Sequence, residues 1–340
     1  MKLSILIPMY NAATYIGNCL NSIINQGLLK EEFEVIIMDD GSTDNCADIV
    51  CNYLINNENF TLYRETNSGS DSTRNKLLKY AKGDYIYFLD ADDYLAYNSL
   101  KSILDYAVKN ELDFIGFDTL KTKKLDHFDV KFDKDKPSAS PIINGLQFLK
   151  ENRHLRHEVW WYLLKRDLIL SNEIRFDSNG NNSDVVFTVK SILKAERLLY
   201  YPITIHRYLQ TPSSVMRDKS VSNKRKLIDS MFNMIISYSK LINSIEHETL
   251  EHKSAIIDNL KFRRDVFVFF NIMNIIREKY SKIDVVERLK QLSKVKAYPI
   301  KHFTQDHYKS LKYIVLNGVV NNKTLLKSMV ALKNIFFKST

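Results

Sequence analysis

The sequence has 340 residues, of which 45% are hydrophobic and 26% charged, as expected for a globular protein of one large or two modest domains. Only 9 glycines and 6 prolines are present, which excludes a long Gly/Pro-rich linker, and no apolar run reaches the roughly 20 residues of a membrane-spanning helix. The net charge is +9, but residues 1–120 carry 9 basic and 18 acidic side chains (−9), which leaves 40 and 22 (+18) for the rest. The acidic part suits a metal ion, and the basic part suits an anionic partner or membrane surface.

Alternating strands and helices are predicted for the first 95 residues. Short apolar runs predict strands, and apolar residues at helical spacing predict helices. The predicted strands are 3–8, 33–38, 60–64 and 85–89, and the predicted helices are 12–26, 44–57 and 70–82. This alternation is typical of a mostly parallel α/β sheet, in which ligands bind beyond the carboxyl ends of the strands.

The predicted secondary structure changes twice in the rest of the chain. Residues 121–141 are charged and predict a surface loop or edge hairpin, and residues 142–216 look α/β-mixed. From about 220 the pattern predicts helices only, at 222–245, 250–280, 283–295 and 305–336. The three cysteines, Cys19, Cys46 and Cys51, form neither a disulfide framework nor a paired metal motif. Without a signal-peptide pattern at the start, we expect a cytoplasmic location.

Polar clusters follow three of the predicted strands. They are Pro8 to Asn11, Asp39-Asp40 and Asp90 to Asp93. Because the carboxyl ends of parallel strands meet at one edge of a sheet, we expect all three clusters to converge there.

Asp90-Ala91-Asp92-Asp93 places three carboxylates within four residues, which repel one another unless a cation or hydrogen bonds compensate. Oxygen ligands of this kind suit Mg²⁺ or Mn²⁺, which also keep diphosphate oxygens in their shell. The alternative is an acidic loop that caps the next helix.

Three further features suit a nucleotide. A carboxylate of Asp39-Asp40 can accept from the imide of a uracil, Tyr10 can lie against a base ring, and Arg74 can reach a diphosphate. The alternatives are a strand-to-helix turn, a loop aromatic and a surface arginine.

Together, the order and spacing of these segments resemble the family 2 glycosyltransferases, which have the GT-A nucleotide-sugar fold. The matching segments are 4–11, 35–44, 67–69 with Arg74-Asn75, and 83–93. The resemblance implies an α/β GT-A domain over 1–218 and a helical C-terminal region over 219–340. Within the domain, 1–95 is the nucleotide-sugar half and 96–218 the acceptor half.

The resemblance also assigns roles to individual residues. The nucleotide-sugar contacts it implies are Pro8, Tyr10, Asn11, Asp39, Asp40, Arg74, Asp90, Ala91 and Asp92. Asp92 and His206 are the implied ligands of the divalent metal, although a lone histidine is more often structural. The implied acceptor contacts are Asp93, Trp160 and Trp161. Arg207 or Arg217, near Ser213-Ser214, would offset phosphate charge.

The catalytic base implied by the resemblance is Asp184. Here the sequence departs from the family, because Ser178 and Ser183 stand where glutamates are common. The nearest rival is Asp177, and the alternative role for Asp184 is a cap of the helix that starts near Val185.

The resulting hypothesis is an inverting, metal-dependent hexosyl- or N-acetylhexosaminyltransferase. It would move a sugar from a UDP-sugar to a saccharide acceptor hydroxyl in the synthesis of a bacterial capsule, O-antigen or exopolysaccharide. One alternative is a catalytically silent GT-A binding or assembly module. A nucleotidyltransferase is disfavoured, because no Gly-rich, Lys-containing loop follows the first strand.

The basic C-terminal region has alternatives of its own. Residues 325–338 are apolar with spaced lysines, which predicts an interfacial helix at the inner face of the cell membrane, near a lipid-linked acceptor. A core-packed last helix or a homo-oligomer contact is the alternative. We expect no nucleic-acid partner, because no base-stacking or groove-reading motif accompanies the charge.

Overall fold

The structure is a computed structural model that describes residues 1–132, 139–177, 183–211, 220–278 and 280–336. The described residues fall into two compact units. The first contains the described parts of Met1–Phe148, His157–Ser178 and Phe187–Ser214, and the second those of Leu149–Arg156, Asn179–Val186 and Val215–Thr340. The domain boundary expected between 218 and 219 stays a prediction.

A single mixed sheet forms the centre of the first unit. Its strands in chain order are Leu3–Met9 (β1), Phe33–Asp39 (β2), Phe60–Arg64 (β3), Tyr85–Phe88 (β4), Tyr94–Leu95 (β5), Phe114–Thr122 (β6), Lys131–Phe132 (β7), Tyr162–Lys165 (β8) and Leu198–Leu209 (β9). The strand order is β3-β2-β1-β4-β8-β6-β9-β5, and β7 pairs with β9.

Strands β1 to β4 pair with one another only in parallel. β1 lies between β2 and β4, with Met9 opposite Asp39 and Leu6 opposite Phe88. These strands form because their residues are apolar and almost all buried, as in sheets covered on both faces. The four strands predicted in the first 95 residues are confirmed, and β1, β2 and β4 end at the same edge.

The helices of the same part of the chain cover the sheet. Those up to residue 211 are Ile16–Ile24 (α1), Cys46–Leu54 (α2), Ser70–Tyr80 (α3), Leu100–Lys109 (α4), Gly145–Glu151 (α5), Arg166–Ser171 (α6) and Asp184–Lys194 (α7). Helix α1 buries Ile16, Cys19, Leu20 and Ile23, so the predicted apolar face is the buried face. Predicted helix 12–26 begins later than expected, because Asn11 has φ +48° and residues 13–15 form a turn.

The strands after β4 build the other half of the sheet. β6 and β9 pair in parallel with an irregular register at Asp118, and β8 pairs antiparallel with both β4 and β6. Gly116 on β6 is required by close approach, since a Cβ there would lie 2.3 Å from the Trp161 ring. Within the region predicted as a loop or hairpin, β7 pairs antiparallel with β9 at an edge, and residues 133–138 lie outside the described residues.

Helices dominate the second unit, as predicted. They are Val221–His247 (α8), Lys253–Arg277 (α9), Lys282–Lys294 (α10), a 3₁₀ turn at Asp306–Tyr308, Leu311–Asn321 (α11) and Lys323–Phe336 (α12). The apolar segment around Phe262 forms its core, in which Phe269 stacks on Phe303 with ring centroids 3.9 Å apart.

The prediction of one helix over 305–336 is wrong. Asn322 has an extended ψ of 105°, which separates α11 from α12. Its side-chain oxygen accepts hydrogen bonds from the backbone N–H groups of Thr324 (3.0 Å) and Leu325 (3.1 Å). Asn322 therefore caps the second helix, a role for which Asn is strongly preferred. No helix in the described ranges is long and apolar enough to cross a membrane.

Candidate functional site

Hydrogen bonds join the ends of β1 and β2. The Asp40 N–H donates to the Met9 carbonyl (2.8 Å), and the Asn11 N–H donates to the Ser42 hydroxyl (2.9 Å). The Asn11 side-chain oxygen accepts from the Thr43 N–H (2.8 Å). The first two polar clusters therefore form one joined loop pair, as the parallel order of the strands predicts.

Asp40 connects this loop pair to the turn before α3. Its carboxylate is buried and accepts from the N–H groups of Ser68 (2.7 Å) and Gly69 (2.9 Å). Gly41 makes this approach possible, because its φ is +75° and a Cβ would lie 2.9 Å from the Asn67 nitrogen. A carboxylate has about four acceptor positions, so Asp40 keeps capacity for a further donor such as a base N–H.

Two other side chains border this edge. Asp39 is buried, accepts from the Ser42 N–H (2.9 Å) and lies 3.4 Å from the Arg64 guanidinium. Tyr10 is 53% exposed, so its ring presents a flat face to solvent beside the loop pair. The nucleotide contacts predicted for Pro8, Tyr10, Asn11, Asp39 and Asp40 stay predictions, and the structure places these residues side by side.

Arg74 on α3 reaches the end of β4. Its guanidinium donates to Asp90 (2.6 Å) and lies 3.5 Å from Asp71 and 5.8 Å from the centre of the Phe176 ring. The side chain is largely buried, so its position is set by these neighbours. The arrangement brings a cation and a half-buried carboxylate to the same strand edge as Asp40.

Asp93 faces the protein interior. One carboxylate oxygen lies 2.9 Å from His206 Nε2, and the other accepts from the Leu209 N–H (2.8 Å). His206 is also fully buried, and its Nδ1 lies 2.9 Å from the Tyr87 hydroxyl. The metal role predicted for His206 and the acceptor role predicted for Asp93 stay predictions. Metal coordination by His206 would require one of these two contacts to break.

The two tryptophans occupy different surroundings. Trp160 stacks on the His206 ring with centroids 4.5 Å apart, and on the half-buried Tyr208 ring at 5.6 Å. Trp161 is buried, with its ring centre 5.3 Å from that of Phe114 and its edge against Gly116. The acceptor role of both stays a prediction, and Trp161 has in addition a clear packing role.

The metal hypothesis depends on Asp92. Its side chain is half-buried, Ala91 beside it is buried, and the Cys19 thiol beneath lies 3.9 Å from the Asp90 carbonyl. Burial raises the pKa of the Cys19 thiol well above its usual range, and the charges of Asp93, Asp92 and Asp90 raise it further. Burial and these charges therefore both favour the protonated thiol of Cys19.

The acidic segment suits a metal ion that takes only one or two ligands from the protein. Over the described ranges, no three His, Cys, Asp or Glu side chains are grouped closely enough to hold an ion alone. Mg²⁺ is usually bound through one or two carboxylates together with substrate phosphates. Asp92, half-exposed at a strand end, meets that requirement when a diphosphate supplies the remaining oxygens.

Asp184 is the first residue of α7 and is half-buried. Its carboxylate accepts from the N–H of the next residue, Val185 (2.9 Å), whereas an N-cap side chain accepts from an N–H two or three residues on. The capping and catalytic roles of Asp184 both stay predictions, and neither excludes the other. Its rival Asp177 is half-buried, Ser183 is buried, and Ser178 lies outside the described residues.

Arg207 does not reach solvent. It is buried and donates to backbone carbonyls of His127 (2.7 Å), Thr204 (2.9 Å) and Asp129. These bonds hold the segment before β7 against β9, so a phosphate contact would require the side chain to leave them. Burial lowers the pKa of Arg207 below the usual arginine value. Arg217, Ser213 and Ser214 lie outside the described residues.

The contacts of two residues were not predicted from the sequence. Tyr87 on β4 hydrogen-bonds His206 and the Trp160 carbonyl, and Asn75 makes two bonds to the backbone of Phe176. Tyr87 lies in a wholly apolar strand, so it looks like any core residue. The Asn75 contact crosses 101 residues, and a local pattern contains no signal for it.

Comparison with known proteins shows what the chain is similar to. Residues 4–169, just under half of the chain, match the family described as glycosyl transferase family 2. This segment is a domain of that family. The chain is 25% identical to the uncharacterized glycosyltransferase YibD of Escherichia coli K12 over 331 residues, which are 96% of this chain and 91% of YibD.

A second relative is the poly(ribitol-phosphate) beta-glucosyltransferase of Bacillus spizizenii, 33% identical over 205 residues. That match covers 58% of this chain but only 30% of the relative. The predicted classification as a family 2 glycosyltransferase is thus confirmed by the family match and by these relatives.

The fold of this glycosyltransferase is also found in a solved structure. Residues 1–349 of TarS from Staphylococcus aureus, crystallised with UDP-GlcNAc, superimpose with a TM-score of 0.71 at 24% identity. The superposition covers 96% of this chain and 91% of that one. The predicted GT-A fold, a mostly parallel sheet followed by a helical region, is confirmed.

Proposed function

We propose that this family 2 glycosyltransferase transfers a hexosyl or N-acetylhexosaminyl group from a UDP-sugar to a saccharide acceptor, with inversion. The observation that carries the proposal is the convergence of Tyr10, Asp40, Arg74 and Asp90 at one sheet edge. There the exposed ring, the acceptor oxygens and the guanidinium match the base, the imide and the charged parts of a uridine diphosphate.

The donor site follows from these contacts. Tyr10 covers one face of the uracil, and Asp40 accepts from its imide N–H through a position left by Ser68 and Gly69. Pro8, Asn11 and Asp39 shape the loop pair around the base. Arg74 orients Asp90 toward the ribose and leaves the diphosphate beside Asp92.

A divalent metal, Mn²⁺ or Mg²⁺, would be held by Asp92 together with the diphosphate oxygens. When bound, it neutralises charge on the leaving diphosphate. Asp93 does not compete for it in the described geometry, because both of its oxygens have partners within the protein. His206 would join only by exchanging a partner.

Inversion requires one displacement in line with the leaving group. The acceptor hydroxyl gives its proton to the Asp184 carboxylate while its oxygen forms a bond to the anomeric carbon. The bond from that carbon to the diphosphate oxygen breaks, and UDP leaves with the electron pair. Asp93, Trp160 and Trp161 would border the acceptor, and Trp160 stacks on the His206 ring.

A cell-surface polymer is the acceptor class we propose. Support comes from the relative named as a poly(ribitol-phosphate) glucosyltransferase, whose acceptor is a polyanion. The basic part of this chain, with 40 basic and 22 acidic side chains after residue 120, suits such an acceptor electrostatically. The settings we propose for this transfer are capsule, O-antigen and exopolysaccharide synthesis.

Calorimetry with UDP and UDP-sugars, with and without Mn²⁺, tests the proposal. We expect binding that Mn²⁺ strengthens, and loss of that metal effect in Asp92→Asn. The matched control is Asp105→Asn, an exposed aspartate on α4 paired with Lys101. Absence of any UDP or UDP-sugar binding contradicts the donor assignment, and a full metal effect in Asp92→Asn contradicts the metal assignment alone.

A further inference from the structure

One face of α11 is apolar and exposed. Leu311, Ile314 and Val315 are 77%, 50% and 56% exposed. Gly318 continues the row, and a Cβ there would meet no atom within 4 Å. Positions i, i+3, i+4 and i+7 lie on one side of a helix, so these four residues form a continuous strip, the α11 outer face.

The opposite face of α11 packs against other parts of the second unit. Val320 is fully buried, and its carbonyl accepts from the Tyr298 hydroxyl (3.0 Å). Tyr313 packs edge-on against Phe303, with ring centroids 5.7 Å apart. A surface helix normally carries polar residues on its solvent side, and a helix that is apolar all round is normally buried. The α11 outer face is therefore of the kind that marks an interaction surface.

The stretch of sequence that contains this face is basic. From His307 to Thr340 the sequence contains no aspartate or glutamate and six lysines, which are Lys309, Lys312, Lys323, Lys327, Lys333 and Lys338. Lys309 and Lys312 at one end of α11 and Lys323 at the other are exposed. The apolar strip thus lies between cationic side chains.

We propose that the α11 outer face docks on an anionic lipid bilayer, with the helix lying in the plane of the interface. Leu311, Ile314 and Val315 would enter the boundary between headgroups and acyl chains. The flexible lysine stems would keep the ammonium groups among anionic headgroups, each adding attraction. A second copy of the chain is disfavoured as the occupant, because two outer faces would bring like charges together.

This surface differs from the one expected from the sequence. The segment 325–338 has the composition of an interfacial helix, but within its described part Leu326 and Val330 are buried in the second unit, as the core-packed alternative predicts. Helix α11, which precedes it, carries the exposed apolar strip. The proposal does not depend on the donor chemistry, and its measurement uses no sugar nucleotide.

Vesicle co-sedimentation tests the proposal on the full chain. We compare phosphatidylcholine vesicles with vesicles that also contain phosphatidylglycerol, at low and high salt. Wild type should bind the phosphatidylglycerol vesicles and lose binding as salt rises. Ile314→Ser/Val315→Ser should weaken vesicle binding by about tenfold or more, because both side chains lose their apolar contact.

A matched control and a second variant keep the test decisive. Ile283→Ser replaces an 81% exposed isoleucine on α10 of the same unit and should bind as wild type does. Lys309→Glu/Lys312→Glu should lose the preference for phosphatidylglycerol. Equal thermal unfolding of all variants excludes misfolding as the cause.

Three outcomes overturn the proposal. They are no wild-type binding to phosphatidylglycerol vesicles, equal binding by Ile314→Ser/Val315→Ser, and equal loss in Ile283→Ser. Analytical ultracentrifugation adds one discriminating result. A wild-type dimer that Ile314→Ser/Val315→Ser abolishes, without vesicle binding by either protein, assigns the face to a second copy and rejects the membrane.

Discussion

His206 Nε2 lies 2.9 Å from Asp93 Oδ2, although the two residues are 113 positions apart and both are buried. This contact anchors β9 to the end of the acidic segment that follows β4. Arg74 holds Asp90 at the other end of the segment (2.6 Å). The half-buried Asp92 therefore lies between two fixed carboxylates, and this arrangement presets the position of the proposed metal ligand.

Tyr87→Phe tests this anchor. The change removes the hydroxyl that contacts His206 Nδ1 (2.9 Å) and leaves the buried ring nitrogen without that partner. We expect a loss of about 1–3 kcal/mol in the free energy of unfolding, together with reduced transfer, because Asp93 loses its support. Denaturant unfolding and an assay of UDP release measure the two effects.

Tyr85→Phe is the matched control for Tyr87→Phe. Tyr85 precedes Tyr87 by two residues on β4, and its buried hydroxyl hydrogen-bonds the carbonyls of Ala107 and Leu112. It should cost similar stability while transfer by the folded enzyme stays unchanged. Equal transfer by both variants would show that the His206 contact has a purely structural role.

The convergence at the sheet edge was predictable from the sequence, but the anchor was not. Buried parallel strands with polar ends place Asn11, Asp40 and Asp90 together whatever the intervening residues are. Tyr87 on β4 and His206 on β9 meet only because β8 and β6, which come far later in the chain than β4, lie between those two strands in the sheet. The local periodicity of the sequence cannot predict such a long-range contact.

Two expectations outside the donor half show the same limit. Apolar residues continue through 305–336, so the break at Asn322 depends on one side-chain cap that periodicity does not detect. Arg207 resembled a phosphate ligand, but its guanidinium is buried against the main chain. A residue type predicts a possible chemistry, and the tertiary structure decides whether that chemistry faces solvent.

Arg74→Lys should weaken donor binding while retaining the charge. Lysine lacks the planar fork of the guanidinium, so it cannot contact Asp71 and Asp90 together. We expect a loss of about 1.5–3 kcal/mol in UDP binding, roughly ten- to a hundredfold in Kd. Titration calorimetry with UDP and Mn²⁺ measures the loss.

Lys79→Gln, on the same helix, serves as the control for Arg74→Lys. It removes a charge from α3 at an exposed position near the helix end. Its UDP affinity should equal that of wild type. A comparable loss in both variants would mean that α3 acts by general charge and not through Asp90.

Asp184→Asn should separate donor binding from chemistry. The amide cannot accept the acceptor proton, so the transfer rate should fall by about 10²–10⁴-fold with the Kd for UDP unchanged. Asp177→Asn, at the rival position, should keep transfer near the wild-type level. The reverse pattern, with Asp177→Asn inactive and Asp184→Asn active, would move the base to Asp177.

The buried charge pair of the second unit predicts an acid-dependent stability. Asp265 is buried and accepts hydrogen bonds from the Arg264 guanidinium (2.7 Å), the Lys301 N–H (3.0 Å) and the His302 N–H (2.8 Å). Burial alone would raise the pKa of Asp265, but the hydrogen bonds from His302 and the charge of Arg264 outweigh it. The pKa therefore lies below the ordinary aspartate value.

The lowered pKa of Asp265 predicts how the stability of Asp265→Asn depends on pH. A lowered folded-state pKa means that the carboxylate stabilises the fold above about pH 4 and loses this contribution as pH falls through the folded-state value. We expect Asp265→Asn to lose about 3–5 kcal/mol near neutrality, because Arg264 is left buried without its partner. Denaturant unfolding from pH 7 downward should show the stability difference from wild type shrinking in acid.

Asp258→Asn, an exposed change on the same helix, should match the stability of wild type at every pH. If the stability difference between wild type and Asp265→Asn stays constant with pH, the variant loses stability through packing. Loss of the ionised Asp265 carboxylate predicts instead that the difference shrinks in acid.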